Sequence, residues 1–103
     1  MSGSTKLPPI HPGEILREEF LVPFRLSASA LARHIDVPTN RVTEILNAER
    51  SISADTAMRL SKAFGTAPEF WMNLQALYEL ETVGKADARE IEDIEPIRAR
   101  TFA

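Results

Sequence analysis

The chain has 103 residues, 44% of them apolar and 26% charged, with a formal net charge of −3. That length suits one domain of ordinary globular composition, and the absence of cysteine excludes a disulfide framework, a thiol nucleophile and a cysteine-ligated zinc site. The acidic balance runs against a simple basic nucleic-acid binder, but it is uneven: residues 79–95 hold seven acids and two bases, whereas 25–62 hold four acids and six bases.

The opening "MSGSTKLPP" has no apolar h-region, so no signal peptide is expected. No apolar run approaches the ~20 residues of a membrane span, and a cysteine-free chain fits a reducing compartment. Cytoplasmic placement with no membrane partner is therefore expected. Residues 1–11 read as a flexible N-terminal arm rich in Ser, Thr and Pro.

The first predicted helix begins in "HPGEILREEFL". Pro12 suits a first turn, where its missing N–H costs nothing, and Glu14 lies near the positive helix end. Ile15, Leu16 and Phe20 supply an apolar stripe, and Pro23 is expected to stop the helix. Ser27 caps a second helix over 28–35, with Leu31 and Ile35 on one face. Asp36 and Val37 make a tight break, and Asp tolerates the left-handed backbone such breaks use. A third helix runs from Pro38 or Thr39 to Asn47, buried along Val42, Ile45 and Leu46.

"NAERSI" reads as a loop. Ser53 then caps a fourth helix over 54–64, with Ala57, Leu60 and Phe64 facing inward and Gly65 as the stop. "TAPE" at 66–69 reads as a capping box that opens a fifth helix, which Gly84 is expected to end. Phe70, Trp71, Leu74 and Tyr78 are placed in the core or at a homodimer seam. Residues 84–103 form a C-terminal tail whose Ile91, Ile94 and Ile97 fit a short helix, a strand or a disordered segment. The expected architecture is thus all-α: five helices in a domain over 12–83, between the arm and the tail.

At about 100° per residue, the aliphatic face of the third helix centres near Val42, Ile45 and Leu46. Asn40, Glu44 and Asn47 fall opposite, Arg41 and Thr43 flank them, and Thr39 stands at the start. Such a polar ridge can be an ordinary solvated face. Paired across a short turn with another helix, it also matches what a DNA major groove admits, with N-terminal residues at base edges. Asn can bond adenine twice, Arg can do so with guanine, Glu can accept from cytosine and the Thr methyl can touch thymine.

Enzymatic readings find no constellation. His11 and His34 lack metal-ligand spacing; His11 reads as part of the helix-entry turn and His34 as a surface imidazole able to touch phosphate. Glu18 and Glu19 diverge by about 100° on a helix, so they are no catalytic pair. Asp55 reads as a first-turn acid favouring the helix dipole. The glycines form no phosphate loop and no serine sits in a nucleophile elbow. No catalytic residue, cofactor or metal is expected.

Residues 26–50 resemble the helix-turn-helix of the phage-repressor-like, or Xre, family. "HPGEILREEFL" at 11–21 and "DTAMRLSKAFGTAPEFWMNLQALYEL" at 55–80 widen this to a resemblance to the HigA (VapI-like) antitoxins, over about residues 10–80. The resemblance implies a dimeric all-α protein that binds operator DNA at a promoter palindrome, represses its own operon and neutralises a HigB toxin, a RelE-like mRNA-cleaving endoribonuclease. It places base contacts on Thr39, Asn40, Arg41, Thr43 and Glu44, and backbone contacts on Ser27, Ser29, Asn47 and Arg50. The acidic run 79–95 is a solvated tail or an attraction for a cationic toxin.

Two positions depart from the pattern. Asp36 stands where many relatives have Gly, and Ala48 where many have Gly after the Asn. Ala is uncomfortable at positive φ, so Asn47 is expected to take the left-handed position instead. A stand-alone repressor of the same fold, without a toxin partner, is the alternative reading.

Overall fold

The computed structural model describes residues 8–98; positions 1–7 of the expected arm and 99–103 of the expected tail lie outside the described residues. Within that range the chain forms six helices and no strand, as the all-α reading requires. They are α1 (12–24), α2 (Ala28–Ile35), α3 (Thr39–Leu46), α4 (Ala54–Phe64), α5 (Pro68–Ala86) and α6 (Ala88–Glu92).

His11 caps α1 with its own ring. Its Nδ1 accepts from the Gly13 N–H at 2.9 Å, as an Asn or Asp oxygen would at an N-cap. The ring is buried, edge-on to Tyr78 at 4.8 Å between centroids, so the arm is already tied to the domain here. Gly13 is needed where α1 meets α3: a Cβ there would overlap the Ile45 carbonyl.

Pro23 does not stop α1, contrary to the sequence expectation. Over Leu16–Leu21 the helix widens to a π-turn, and the Val22 N–H bonds Arg17 O five residues back. Pro23 has no N–H and its ring clashes with the carbonyl four residues earlier in a regular helix; the wide turn removes both conflicts, and the helix continues to Phe24. The same turn puts Leu16 and Leu21, five apart, together in the core. On a regular helix they would diverge by about 140°.

Three helices end on a non-glycine residue in the left-handed region: Arg25 (φ 52°) after α1, Asp36 (φ 62°) after α2 and Ala48 (φ 60°) after α3. Each closes a pair of backbone bonds. Leu26 and Arg25 donate to Leu21 and Val22, Val37 and Asp36 to Ala32 and Arg33, Glu49 and Ala48 to Glu44 and Ile45. This is the Schellman arrangement, which satisfies carbonyls the helix leaves open. Asp36 does what its sequence context predicts. The expectation for Asn47 is corrected: it keeps φ −92° and Ala48 turns left-handed. Two terminal bonds hold Ala48 there against a steric penalty of about 1–2 kcal/mol.

Ser27 and Ser53 cap α2 and α4 through Oγ, accepting from Ala30 and Thr56, and Gly65 (φ 76°) ends α4. The capping box at 66–69 is not formed. Ala67 is the N-cap of α5, and Thr66 Oγ1 instead accepts the Trp71 indole N–H at 2.8 Å. A buried indole needs a partner, and Thr66 supplies it. Gly84 does not end α5 either; the helix runs two residues further, to Ala86. Nothing near Gly84 demands a left-handed residue, so the backbone stays helical across the expected domain boundary at 83.

The core gathers Leu16, Leu21, Leu31, Ile35, Val42, Ile45, Ile52, Leu60 and Trp71. Phe20 ties α1 to α4 and α5, with centroids 4.8 Å from Phe64 and 5.2 Å from Trp71. Ile52, in the loop after α3, is buried, and its N–H donates to Gln75 Oε1 at 2.8 Å. That bond satisfies a buried amide and fastens the loop to α5. Past Tyr78 the α5 side chains are exposed, as is all of α6.

Gly13→Ala is expected to lose about 1–3 kcal/mol of unfolding free energy, because the new methyl meets backbone that cannot yield; denaturant unfolding measures it. His11 gives a pH signature. Burial holds its imidazole below the ordinary histidine pKa, against a hydrogen bond to the Arg50 backbone that favours the charged form. The unfolded chain therefore takes up a proton that the folded chain resists, and the His11 contribution is lost as pH falls below about 6.5. His11→Asn keeps a capping oxygen without the titration, so its stability should fall less steeply between neutral and mildly acidic pH.

Candidate nucleic-acid interface

α2, the Asp36–Val37–Pro38 turn and α3 form the helix-turn-helix unit. Val42 and Ile45 are buried, so the opposite side of α3 must face out. The extended Pro38 begins α3 without a side-chain cap, leaving its first N–H groups uncovered at the positive end of the helix. Thr39 and Asn40 are exposed there, and among the described residues neither side chain has a hydrogen-bond partner within the chain.

The other expected base readers are engaged. Thr43 is half-buried, and its hydroxyl donates to Asn40 O at 3.3 Å. Arg41 Nη1 donates to Asp55 Oδ2 at 2.6 Å. Glu44 Oε1 takes both Nε and Nη2 of Arg50, at 2.8 and 2.7 Å. Arg50 therefore stands beside the ridge with its charge compensated by a ridge residue. Ser27 Oγ is occupied as the α2 cap and lies 3.4 Å from Ser29 Oγ; Asn47 is exposed at the end of α3.

Sequence reasoning gave Asp55 only a helix-dipole role and Arg59 none, yet both belong to this surface. Asp55 is more than a first-turn acid: its Oδ2 also accepts from Arg59 Nε at 2.9 Å. Hydrogen bonds from Arg41 and then Arg59 hold the Asp55 carboxyl below the usual carboxylate range. Arg59 Nη1 reaches back to Ile35 O at 2.7 Å and Asp36 O at 3.3 Å. The i,i+4 spacing of Asp55 and Arg59 was visible in the sequence. Their reach to Arg41 and to the turn was not, because both partners are remote in the chain.

The proposed seam residues divide. Trp71 is fully buried and belongs to the core, while Phe70 is 38% exposed and Leu74 and Tyr78 are half-buried. His34 is exposed in the last turn of α2. Among the described residues no group of His, Asp and Glu could hold a metal ion, and no helix is long and apolar enough to cross a membrane.

Residues 16–71 match a helix-turn-helix family model. The chain is 45% identical to virulence-associated protein I of Dichelobacter nodosus over 93% of its own length and 88% of that protein. A solved addiction module antidote protein of the HigA family from Coxiella burnetii superposes with a TM-score of 0.83 at 53% identity, covering 88% of this chain and all of that one. The antitoxin HigA of Pseudomonas aeruginosa, solved with the higBA promoter, also gives 0.83, at 49% identity over 87% of this chain and 99% of that one.

Arg59→Ala removes the Nη1 that donates to both the Ile35 and Asp36 carbonyls and should lower unfolding stability by about 1–2 kcal/mol. Denaturant titration measures this, with the m-value unchanged.

Proposed function

The chain belongs to the helix-turn-helix family, in its HigA branch, and from that premise we propose that it is a DNA-binding antitoxin. In this reading it binds a promoter palindrome as a dimer, represses its own operon and neutralises a HigB-like, mRNA-cleaving toxin in the cytoplasm. The family is one of DNA-binding regulators, so no enzymatic step is assigned.

The observation that carries the reading is the start of α3. Thr39 and Asn40 stand free and exposed at the head of a helix whose opposite side is locked into the core. That geometry supports entry of α3 into a major groove, with Thr39, Asn40, Arg41, Thr43 and Glu44 at base edges. In this reading Ser27, Ser29, Asn47 and Arg50 meet the phosphates on either side of the groove. The P. aeruginosa HigA, at 49% identity, was solved with promoter DNA, which supports the same use of the fold here. A dimer would set two copies of α3 one helical turn apart, ~34 Å, with Phe70 the seam residue most open to a partner.

Asn40→Ala should weaken operator binding by about 1–3 kcal/mol and relax preference at one base pair. Titrations against a footprinted promoter fragment and its single-base variants measure both. Unchanged binding after Asn40→Ala and Thr39→Ala together would end the groove-reading account. The toxin half is tested by expressing the neighbouring reading frame alone and with this chain. Growth arrest relieved by co-expression, with co-purification, is the expected result. A harmless neighbour would leave a stand-alone repressor.

A further inference from the structure

We propose that Asp55 is a positioning residue for DNA readout: its carboxylate holds the Arg41 guanidinium in one orientation beside α3 and thereby sets base selectivity. The proposal rests on the reading above, in which Arg41 meets base edges.

The geometry is a continuous chain of hydrogen bonds. It starts at the Ile35 and Asp36 carbonyls of the turn, passes through Arg59 to Asp55 Oδ2, and ends on Arg41 Nη1. The turn that aims α3 thus also aims the arginine on it. A guanidinium has five N–H donors in a rigid fork, and the one given to Asp55 leaves the others for a base. The Arg41 side chain is 29% exposed, so it is held without being covered. Arginine carries much rotamer freedom; restraint before binding reduces what is lost on meeting a base and narrows the geometries it can meet.

Charge points the same way. The Asp55 side chain is 55% exposed, so it presents a carboxylate next to the DNA-facing ridge. An anion there repels phosphate and weakens contacts that need only positive charge. It therefore opposes sequence-independent binding while supporting one directed contact, and selectivity arises from both effects. An exposed ion pair contributes little to folding stability, so the readout role should be separable from folding.

The test uses the full chain with Asp55→Asn, Arg41→Ala, the double variant and Arg59→Gln. Each is titrated against a footprinted promoter duplex, its single-base-pair variants and a random duplex. Asp55→Asn should lower discrimination between operator and random DNA by about tenfold, within the range one bidentate base contact supports. The loss should fall at the base pair that Arg41→Ala also relaxes, with random binding unchanged or tighter. In the Arg41→Ala background it should have no further effect on discrimination. Arg59→Gln, which keeps the Asp55 carboxylate but removes the guanidinium that ties it to the turn, should lose selectivity at the same base pair and provides the test should Asp55→Asn fail to fold. Unchanged discrimination, or equal weakening on all three kinds of DNA, would overturn the proposal. If Arg41→Ala relaxes no base pair, the base-reading role of Arg41 fails, and with it this role for Asp55. If Arg41→Ala relaxes one and Asp55→Asn does not, only the positioning role fails.

Discussion

A helix of eight residues does not hold itself together in water, because the cost of nucleation exceeds what two turns of hydrogen bonds return. α3 exists only because Val42 and Ile45 are buried against α1 and the rest of the core. That constraint fixes nearly everything about the candidate interface. With one face committed to the core, the rotation of α3 is set and the Thr39–Asn40 end must point outward. α1 comes so close that only Gly13 fits against the Ile45 carbonyl. Gly13 in turn donates to His11, whose ring packs on Tyr78 of α5. The orientation of the ridge is therefore referred to two other helices, α1 and α5.

The charge pattern around α3 is compensated internally. Arg41 and Arg59 share Asp55, and Arg50 is tied to Glu44. The three arginines nearest α3 are thus paired, while Arg25, Arg33 and Lys62 make no ion pair among the described residues. For the proposed DNA contact, this favours recognition by directed hydrogen bonds over bulk attraction. Glu44 and Asp55 are thus tied to arginines beside α3, and seven of the other acids lie in 79–95, at the far end of α5 and beyond, away from the proposed DNA contact.

Several local rules gave way to competing contacts. Pro23 sits inside a helix because a π-turn accommodates it, and that turn brings Leu16 and Leu21 to the same core. Thr66 serves Trp71 instead of capping α5. Ala48 adopts a backbone conformation that suits glycine because two terminal hydrogen bonds require a left-handed residue at that position. The bonds involved span five residues or fewer, so each is a local alternative to the expected cap or stop.

The sequence by itself determined the helix count of the domain, the spans of α2 and α4, the caps at Ser27 and Ser53, the left-handed Asp36 and Gly65, and which side of α3 is apolar. These depend on neighbours within about one turn, where periodicity and side-chain chemistry act directly. Only the tertiary structure decided that Trp71 is core, that His11 is a buried cap, that Gln75 holds the Ile52 amide, and that Asp55 joins Arg41 to the turn through Arg59. The decisive contacts, Arg41–Asp55, Ile52–Gln75, Ile35–Arg59 and His11–Tyr78, join residues 14 to 67 positions apart in the chain and rest on side-chain hydrogen bonds and ring packing. Such pairings leave no period in the sequence, because their partners meet only after the helices have packed.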